Sequence, residues 1–243
     1  MPRFFVSSEN FEQGLVNITG DDAWHIARSL RMAVGESITV CNMNGSVHEC
    51  TLEKITDEVV TARIDKSMSA ESESPVCVTL YQALPKGDKM DVIVQKAVEM
   101  GVCKIVPFFS ERCVSRPDPK SLEKKCVRWQ RIALEAAKQC GRGIIPQIGS
   151  PLSFEQMLLD ASKASLGCFC YEGEGTDSIK TILENASGIS DIALVVGSEG
   201  GFSEGEAARA AESLTLTGLG KRILRCESAP AFALACISYK FEL

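Results

Sequence analysis

The sequence predicts an α/β protein with a mostly parallel sheet covered by helices, preceded by a smaller β-rich domain. From Val76 onward, short apolar segments alternate six times with segments of helical periodicity, the pattern of parallel strands connected by helices. Residues 192–196 are wholly apolar, as expected of a strand buried on both faces. Before Val76, several short strand-like segments follow each other at the spacing of a small barrel.

The N-terminal part combines strand patterns with one helical segment. The strand patterns lie near 4–6, 15–18, 36–42, 47–55 and 59–64. Asn44 and Gly45 lie between two of them and are a strong hairpin signal. Residues 23–32 have helical character, and Asp21 and Asp22 are placed to cap this helix.

A polar stretch separates the two parts of the chain. Residues 68–75 are small and polar and end in proline, which is typical of a linker. We therefore predict a barrel-like domain at 1–70, a linker at 71–75 and a second domain at 76–243.

The N-terminal helical segment carries three cationic or titratable side chains. His25, Arg28 and Arg31 are three residues apart, so on a regular helix they form one stripe. Such a stripe indicates either a solvated helix face or a contact with an anionic partner.

The second domain has six predicted strands and six predicted helices. The strands lie near 76–84, 104–109, 144–148, 166–171, 192–196 and 214–219. The helices lie near 89–100, 121–140, 154–162, 178–185, 204–212 and 228–240. Ligands of such sheets bind outside the carboxyl ends of the strands, so we expect the loops that leave these ends to form a site.

The loop after residues 192–196 contains three glycines. Gly197, Gly200 and Gly201 indicate either a tight strand-to-helix turn or a backbone that approaches a ligand closely. Their spacing fails both the dinucleotide fingerprint and the phosphate-loop pattern. Glu199 would repel a phosphate, so the loop suits an uncharged or cationic group. We take this loop and a basic loop, residues 220–228, to be the active centre.

The helix after the glycine loop has a recognisable start. Ser203 is a predicted N-cap, and Glu206 three residues later completes a capping box.

The charge of the chain is unevenly distributed. The formal net charge is −6, but residues 86–142 carry 13 basic and 7 acidic side chains. The predicted helix 121–140 contributes a basic face. This face comprises Lys124, Lys125, Arg128, Arg131 and Lys138, and Arg142 follows it. It is either a solvated face or a surface for a phosphate backbone.

Composition also limits the class of protein. The eleven cysteines include no C-x-x-C pair, and there are only two histidines, so we expect no metal site. No apolar run approaches the ~20 residues of a membrane span, and the first residues lack the apolar core of a signal peptide. We therefore expect a cytoplasmic protein that does not associate with membranes.

Seven motifs occur in an order that matches a known family. They are His25 to Met32, Lys86 to Met90, Gln95 to Val102, Ser110 to Cys113, Lys138 to Arg142, Val196 to Ser203 and Leu219 to Arg225. On these motifs the chain resembles, over its whole length, the bacterial 16S ribosomal RNA uridine-N3 methyltransferase family of the knotted SPOUT class. The family commonly has proline where this chain has Ser198 and Lys221, and Thr-Glu-Thr-Ala where Cys226 to Ala229 stand.

The resemblance implies an architecture and partners. It implies a PUA-like β-barrel followed by an α/β domain with a deep trefoil knot, a homodimer, and 16S rRNA within an assembled 30S subunit as the substrate. A knot is not something that periodicity predicts, because knots are rare among folds.

The resemblance also implies the cofactor, S-adenosyl-L-methionine. Its expected binding residues are Tyr171, Glu172, Val196, Gly197, Ser198, Glu199, Gly200, Gly201, Leu219, Gly220, Arg222, Ile223 and Leu224. The expected RNA-binding residues are His25, Arg28, Arg31, Lys86, Lys89, Arg112, Arg128, Arg131 and Arg142.

Methyl transfer to N3 of uridine requires loss of the N3 proton. A base, or a group that stabilises the uracil anion, is therefore needed. Arg225 is the first candidate for stabilising the negative charge, and a salt bridge to Glu227 or Glu199 is its alternative role. Glu227 is the candidate carboxylate for proton removal, with an N-cap of the last helix as the alternative.

Two other functions remain open from the sequence. One is a methyltransferase of the same class that modifies another RNA nucleotide. The other is an RNA-binding protein without catalysis, whose loops bind no cofactor.

Overall fold

The chain divides into two compact units in a computed structural model that describes all residues, 1–243. One unit comprises Met1–Glu73 and Ala137–Ile145, and the other Ser74–Ala136 and Pro146–Leu243. None of the helices combines the length and the apolar composition that crossing a bilayer requires.

The first unit contains a six-stranded sheet. Its strands are β1 (Arg3–Phe5), β2 (Phe11–Glu12), β3 (Leu15–Thr19), β4 (Ser37–Cys41), β5 (Ser46–Ile55) and β6 (Val59–Ser69). Their order is β1-β4-β5-β6-β3-β2, and every pair is antiparallel except β1 with β4. The predicted strand near 59–64 continues to Ser69 because Ser46 to Glu49 of β5 pair with residues as far as Ser69.

The core of this unit follows the alternation of its strands. Val16 and Ile18 of β3 are buried, as are Val60 and Ala62 of β6, which pair with them across the sheet. Successive side chains of a strand point to opposite faces, so this period of two places the apolar residues on one side.

The helical segment of the first unit differs from the prediction. An α-helix, α1, covers only Asp21–Trp24, and a π-helix follows at His25–Ser29. Gly20 occupies the N-cap, with φ of 66°, so Asp21 and Asp22 lie inside the first turn and the predicted capping is wrong.

The predicted stripe of His25, Arg28 and Arg31 is also wrong. Arg31 lies beyond the helix with φ of 52°, in the left-handed region that non-glycine residues seldom adopt. A π-helix closes its hydrogen bonds over one more residue than an α-helix does, so a spacing of three no longer aligns side chains.

The second unit contains a sheet whose pairs are all parallel. The elements from Ser74 onward, of which the end of α3 from Ala137 is assigned to the first unit, are β7 (Cys77–Ala83), α2 (Lys89–Glu99), β8 (Lys104–Phe109), α3 (Pro119–Cys140), β9 (Gln147–Ile148), β10 (Leu152–Ser153), α4 (Phe154–Ala161), β11 (Leu166–Cys170), β12 (Asp177–Ser178), α5 (Ile179–Asn185), β13 (Asp191–Val196), α6 (Glu204–Ala210), β14 (Thr215–Gly218) and α7 (Ser228–Phe241). The order is β10-β8-β7-β13-β11-β14-β12, with β9 beside β8. The predicted parallel sheet is therefore found, with β10 and β12 as two short strands that periodicity missed.

An aromatic cluster lies under the carboxyl ends of the central strands. Phe202, which follows the glycine loop, packs on Phe169 of β11 with ring centroids 4.2 Å apart. Phe108 and Phe154 complete the cluster at centroid separations of 6.3 and 6.4 Å from Phe202. Phe202 therefore anchors one end of the glycine loop in the core.

The long helix α3 buries one face. Trp129, Ala133 and Ala136 are buried at helical spacing. Val127 is 59% exposed, because it precedes Trp129 by two residues and so points to another side of the helix.

Candidate active site

A cavity of about 610 Å³ lies where the glycine loop meets the basic loop. Its wall includes residues 196–202, residues 223–226 and the end of β11. A neighbouring cavity of about 270 Å³ is lined by residues 218–224 and shares Tyr171, Glu172, Ile223 and Leu224 with the first. Every residue predicted to hold the cofactor lines one of these two cavities.

The glycines of the first loop are needed for its shape. Gly201 has φ of 61° and donates its N–H to the carbonyl oxygen of Ser198 at 3.0 Å, closing a tight turn. A Cβ on Gly200 would lie 2.9 Å from Cβ of Arg112, and one on Gly197 would lie 3.2 Å from Cα of Gly201. The three glycines therefore serve close contacts within the protein as well as the approach of a ligand.

Side chains and backbone from the ends of β7 and β8 hold this loop. Nε2 of Gln82 donates to the carbonyl oxygen of Gly197 at 3.1 Å, and Nη1 of Arg112 donates to that of Gly200 at 3.2 Å. The backbone N–H of Lys86 donates to Oε1 of Glu199 at 3.1 Å. Gln82 is fully buried, and the sequence analysis did not identify it. It could have been found as a single amide side chain within a largely apolar strand, because a buried amide needs a hydrogen-bond partner.

The predicted capping box at the start of α6 is confirmed. Oγ of Ser203 accepts from the N–H of Glu206 at 3.2 Å, and Oε2 of Glu206 accepts from the N–H of Ser203 at 3.0 Å. Glu206 is 1% exposed, and its other oxygen accepts from the N–H of Glu111 at 2.8 Å. This carboxylate thus joins the glycine loop to the segment that follows β8.

Lys89, predicted to bind RNA, has a partner inside the site. Its Nζ lies 2.8 Å from Oε1 of Glu199 and 3.9 Å from Oε2 of Glu227. The hydrogen bond to Glu199 raises the pKa of Lys89. Desolvation opposes ionisation of Glu199, but its hydrogen bonds from Lys89 and from backbone N–H groups hold the pKa of this carboxyl below its usual value. Both groups are therefore charged at neutral pH.

The cations of the basic loop, unlike Lys89, have no carboxylate partner. Lys221, Arg222 and Arg225 are exposed, and the side chains of these three residues form no hydrogen bond or ion pair. Arg225 forms no close salt bridge with Glu227 or Glu199, the alternative role considered for it, although its charge contributes to the lowered pKa of Glu227. Arg225 lines the larger cavity, and the N–H donors of its guanidinium have no acceptor within the protein.

Glu227 does not line either cavity. It occupies the N-cap of α7 without a side-chain hydrogen bond to the helix, and Sγ of Cys226 donates to its Oε2 at 3.2 Å. Its own backbone N–H and the thiol of Cys226 lower the pKa of Glu227. A carboxylate with a lowered pKa is a weaker base. Since Glu227 also lies outside the lining of both cavities, neither observation supports it as the proton acceptor.

Cys226 is buried beside this carboxylate. Burial, together with the hydrogen bond to Glu227, raises the pKa of its thiol to about 12. The residue therefore stays a neutral thiol at neutral pH.

The remaining predicted RNA contacts lie in different environments. Arg142 is the clearest correction: it is 3% exposed, and its Nη2 pairs with Oε2 of Glu73 at 2.6 Å, so it is not available at the surface. Arg28 pairs with Asp57 at 2.5 Å and Arg128 pairs with Asp91, but both arginines remain largely exposed. The exposed residues without an ion pair are His25, Arg31, Lys86, Arg112 and Arg131.

Both units match family models. A model described as an RNA methyltransferase domain matches residues 72–238, and one described as an RNA methyltransferase PUA domain matches residues 18–65.

The chain is also similar to curated proteins along its length. A Bacillus subtilis protein named ribosomal RNA small subunit methyltransferase E is 34% identical, with 100% of this chain and 98% of that protein covered. A Synechocystis protein of the same name is 32% identical, with coverage of 99% and 78%.

Solved structures share the fold. A ribosomal RNA small subunit methyltransferase E from Neisseria gonorrhoeae, bound to S-adenosyl methionine, superposes with a TM-score of 0.86 at 31% identity, covering 99% of this chain and 98% of that one. A putative methyltransferase from Legionella pneumophila with bound cofactor gives a TM-score of 0.85 at 30% identity, covering 98% and 96%. Since the first family model spans residues 72–238 and relatives match over the full length, this chain belongs to the RNA methyltransferase family and is a mixed α/β protein with a PUA-like domain and a methyltransferase domain.

Proposed function

We propose that this chain transfers a methyl group from S-adenosyl-L-methionine to N3 of a specific uridine in 16S rRNA. The observation that carries the proposal is the larger cavity, where a loop held by hydrogen bonds from neighbouring segments, including the buried one from Gln82, faces a loop whose cations form no ion pair. The first has the rigidity of a cofactor support, and the second has the charge that an RNA substrate needs.

The residues of the two cavities fit the cofactor. The cofactor combines an adenosine, a sulfonium cation and an amino-acid group, and bound here it would supply the methyl group. The backbone of residues 197–201 and 219–224 offers hydrogen-bonding groups, with left-handed turns at Gly201 and Gly220. Ile223 and Leu224 add apolar surface, and the carboxylate of Glu199 opposes the binding of an anion there.

Arg225 is the residue proposed to act on the uracil. Loss of the N3 proton places negative charge on the imide, and a guanidinium at the cavity wall stabilises that charge as it develops. A guanidinium stays protonated at neutral pH, so Arg225 is not the base. We assign the base to no residue, and Glu227 no longer serves as the candidate.

The RNA surface is proposed to consist of exposed cations. Lys86 and Arg112 lie at the loops of the parallel sheet, whereas Arg128 and Arg131 lie along α3. His25, Arg28 and Arg31 form a second group in the PUA-like unit, where they present charge without forming one stripe.

The finer architecture rests on the family resemblance. We propose that the PUA-like domain, 1–70, is a barrel, that 71–75 is the linker, and that the domain at 76–243 contains a trefoil knot. We further propose a cytoplasmic homodimer acting on an assembled 30S subunit. Light scattering of the purified protein tests the dimer, since a mass of one chain, 26.3 kDa, would refute it.

The experiment that tests the function is methylation by the purified protein. Unmodified small subunits and free 16S rRNA are incubated separately with labelled S-adenosylmethionine, and the product nucleoside is identified by mass spectrometry. We expect N3-methyluridine, with faster labelling of assembled subunits. Another methylated nucleoside would establish the rival specificity.

Catalysis itself is tested separately. Calorimetric titration with S-adenosylhomocysteine should show binding, and absence of both binding and labelling would establish an RNA-binding protein without catalysis.

A further inference from the structure

We propose that Lys89 is a positioning residue that ties the glycine loop to the segment carrying Arg225, and that it does not contact RNA. The inference rests on the proposed function, because it concerns the same cofactor cavity. It assigns to the first residue of α2 a role different from the one that its positive charge suggests.

The geometry places one ammonium between two loops. Nζ of Lys89 is 2.8 Å from Oε1 of Glu199, which lies in the glycine loop, and 3.9 Å from Oε2 of Glu227, two residues after Arg225. Sγ of Cys226 lies 4.0 Å from the same nitrogen. No other cation forms an ion pair with either carboxylate.

The support under Glu199 is the start of α2. Its two carboxylate oxygens accept the backbone N–H of Lys86 at 3.1 and 3.3 Å, and Oε1 also accepts the ammonium of Lys89. Glu199 is therefore tied both to the segment before α2 and to the first residue of the helix, where the helix dipole also favours a carboxylate. The glycine loop cannot move freely against this segment.

Loss of the ammonium would reverse the local electrostatics. The carboxylates of Glu199 and Glu227 are held near each other by a cation between them, and without it they repel. We expect the two loops to separate, so that the cofactor cavity widens and Arg225 moves from its place at the cavity wall.

An RNA contact would have a different signature. The Lys89 side chain is only 35% exposed, and its ammonium already donates a hydrogen bond to Glu199. A lysine that binds a phosphate contributes about 0.7–0.9 to the slope of log affinity against log salt. A positioning lysine leaves that slope unchanged and alters cofactor affinity and turnover.

The experiment compares Lys89→Met and Lys89→Arg with Lys86→Met as the matched control. Lys86 is exposed, and it reaches Glu199 only through its backbone N–H, which the substitution preserves. We expect Lys89→Met to weaken S-adenosylhomocysteine binding by about tenfold in calorimetry and to lower kcat with little change in KM for RNA. Lys89→Arg should restore most of both, because it keeps the charge.

RNA-binding titrations at several salt concentrations complete the comparison. The salt slope of Lys89→Met should equal that of the wild type, whereas Lys86→Met should flatten it. A flattened slope for Lys89→Met with unchanged cofactor affinity would overturn the proposal in favour of an RNA contact. Thermal unfolding of each variant shows that it is folded.

Hydrogen exchange provides a readout that does not depend on the proposed function. The backbone N–H of Gly201 donates to the carbonyl oxygen of Ser198 within the glycine loop, so hydrogen–deuterium exchange of peptides that cover residues 196–203, followed by mass spectrometry, reports whether this loop is still held. We expect several-fold faster exchange in Lys89→Met and no change in Lys86→Met. Absence of cofactor binding in the wild type would refute the proposed function, and an unchanged exchange rate in Lys89→Met would refute the tie.

Discussion

The two loops at the cavity differ in how their polar groups are used. In the glycine loop, the carbonyl of Gly197 and the carboxylate of Glu199 are bonded to neighbouring segments. In the basic loop, the side chains of Lys221, Arg222 and Arg225 have no partner within the protein. One loop is fixed by contacts within the protein, and the other retains its charges for a ligand.

An enzyme that transfers a group from a cofactor to an RNA needs two kinds of site, and the two loops differ in the way that these sites should differ. A cofactor site benefits from donors and acceptors that are already oriented, because reorienting them would cost free energy. An RNA site needs cations whose donors are free for oxygen atoms of the substrate. On the proposed function, the hydrogen-bonded glycine loop meets the first demand, and the exposed arginines of the basic loop meet the second.

Replacement of Arg225 should have the largest effect. Arg225→Ala removes an exposed cation that forms no hydrogen bond or ion pair within the protein, so methyl transfer should fall by orders of magnitude while the midpoint of thermal unfolding stays nearly constant. Single-turnover labelling of small subunits measures the rate. Lys163→Ala serves as the control, because it removes an exposed cation that lines neither cavity. Near-normal turnover of Arg225→Ala would remove this residue from the site.

Replacement of Gln82 should show how much its hydrogen bond to the glycine loop contributes to stability and to cofactor affinity. Gln82→Met keeps the volume but leaves the buried carbonyl of Gly197 without its donor, so we expect a loss of about 1–3 kcal/mol in the free energy of unfolding. S-adenosylhomocysteine affinity should fall as well, because the loop loses an orienting contact. Urea unfolding and calorimetry measure the two effects.

The matched control for Gln82 is Gln95→Met. Gln95 is exposed on α2 and bonds only to Glu99, so its replacement should change neither quantity. If both variants behave alike, the glycine loop does not depend on the amide of Gln82.

A methyl group added to the glycine loop should have a moderate effect. In Gly200→Ala the new Cβ would lie 2.9 Å from Cβ of Arg112 and 3.2 Å from the carbonyl oxygen of Arg112, so the loop must shift. We expect cofactor affinity to fall several-fold by calorimetry. Gly205→Ala is the control, since its Cβ meets only Oγ of Ser203 at 3.9 Å and the helix α6 gains about 0.5–1 kcal/mol. Equal effects of the two alanines would contradict the close contact.

The comparison also shows what the sequence could predict. The strands and helices of the parallel sheet have strong periodicity, so most of their bounds were predicted within one or two residues, as with Lys104–Phe109 and Ser228–Phe241. The glycine loop was identifiable because glycine has a specific backbone use, and its capping box has a fixed spacing. These signals are local in the sequence.

The errors depend on contacts between distant residues. Arg142 pairs with Glu73, 69 residues away, and nothing near Arg142 predicts that burial. The ion pair of Lys89 with Glu199, 110 residues away, likewise has no signal in the sequence around Lys89. The π-helix at His25–Ser29 contains Ile26, which is buried in the core of the first unit, and it has no sequence rule of its own. A motif shows that a position carries a cation, but only the folded structure shows which group that cation pairs with.

Charge reversal on α3 should have the smallest effect and should leave the cavity unchanged. Arg131 is exposed without an ion pair, so Arg131→Glu should weaken RNA binding and reduce the slope of log affinity against log salt by about 0.7–0.9. Arg128→Glu also breaks the pair with Asp91, which makes it the less specific variant. Filter-binding titrations at several salt concentrations measure the slope, and calorimetry should give an unchanged S-adenosylhomocysteine affinity. An unaltered slope would show that α3 is a solvated face, and the RNA surface would then be confined to the cations of the two loop regions and the PUA-like unit.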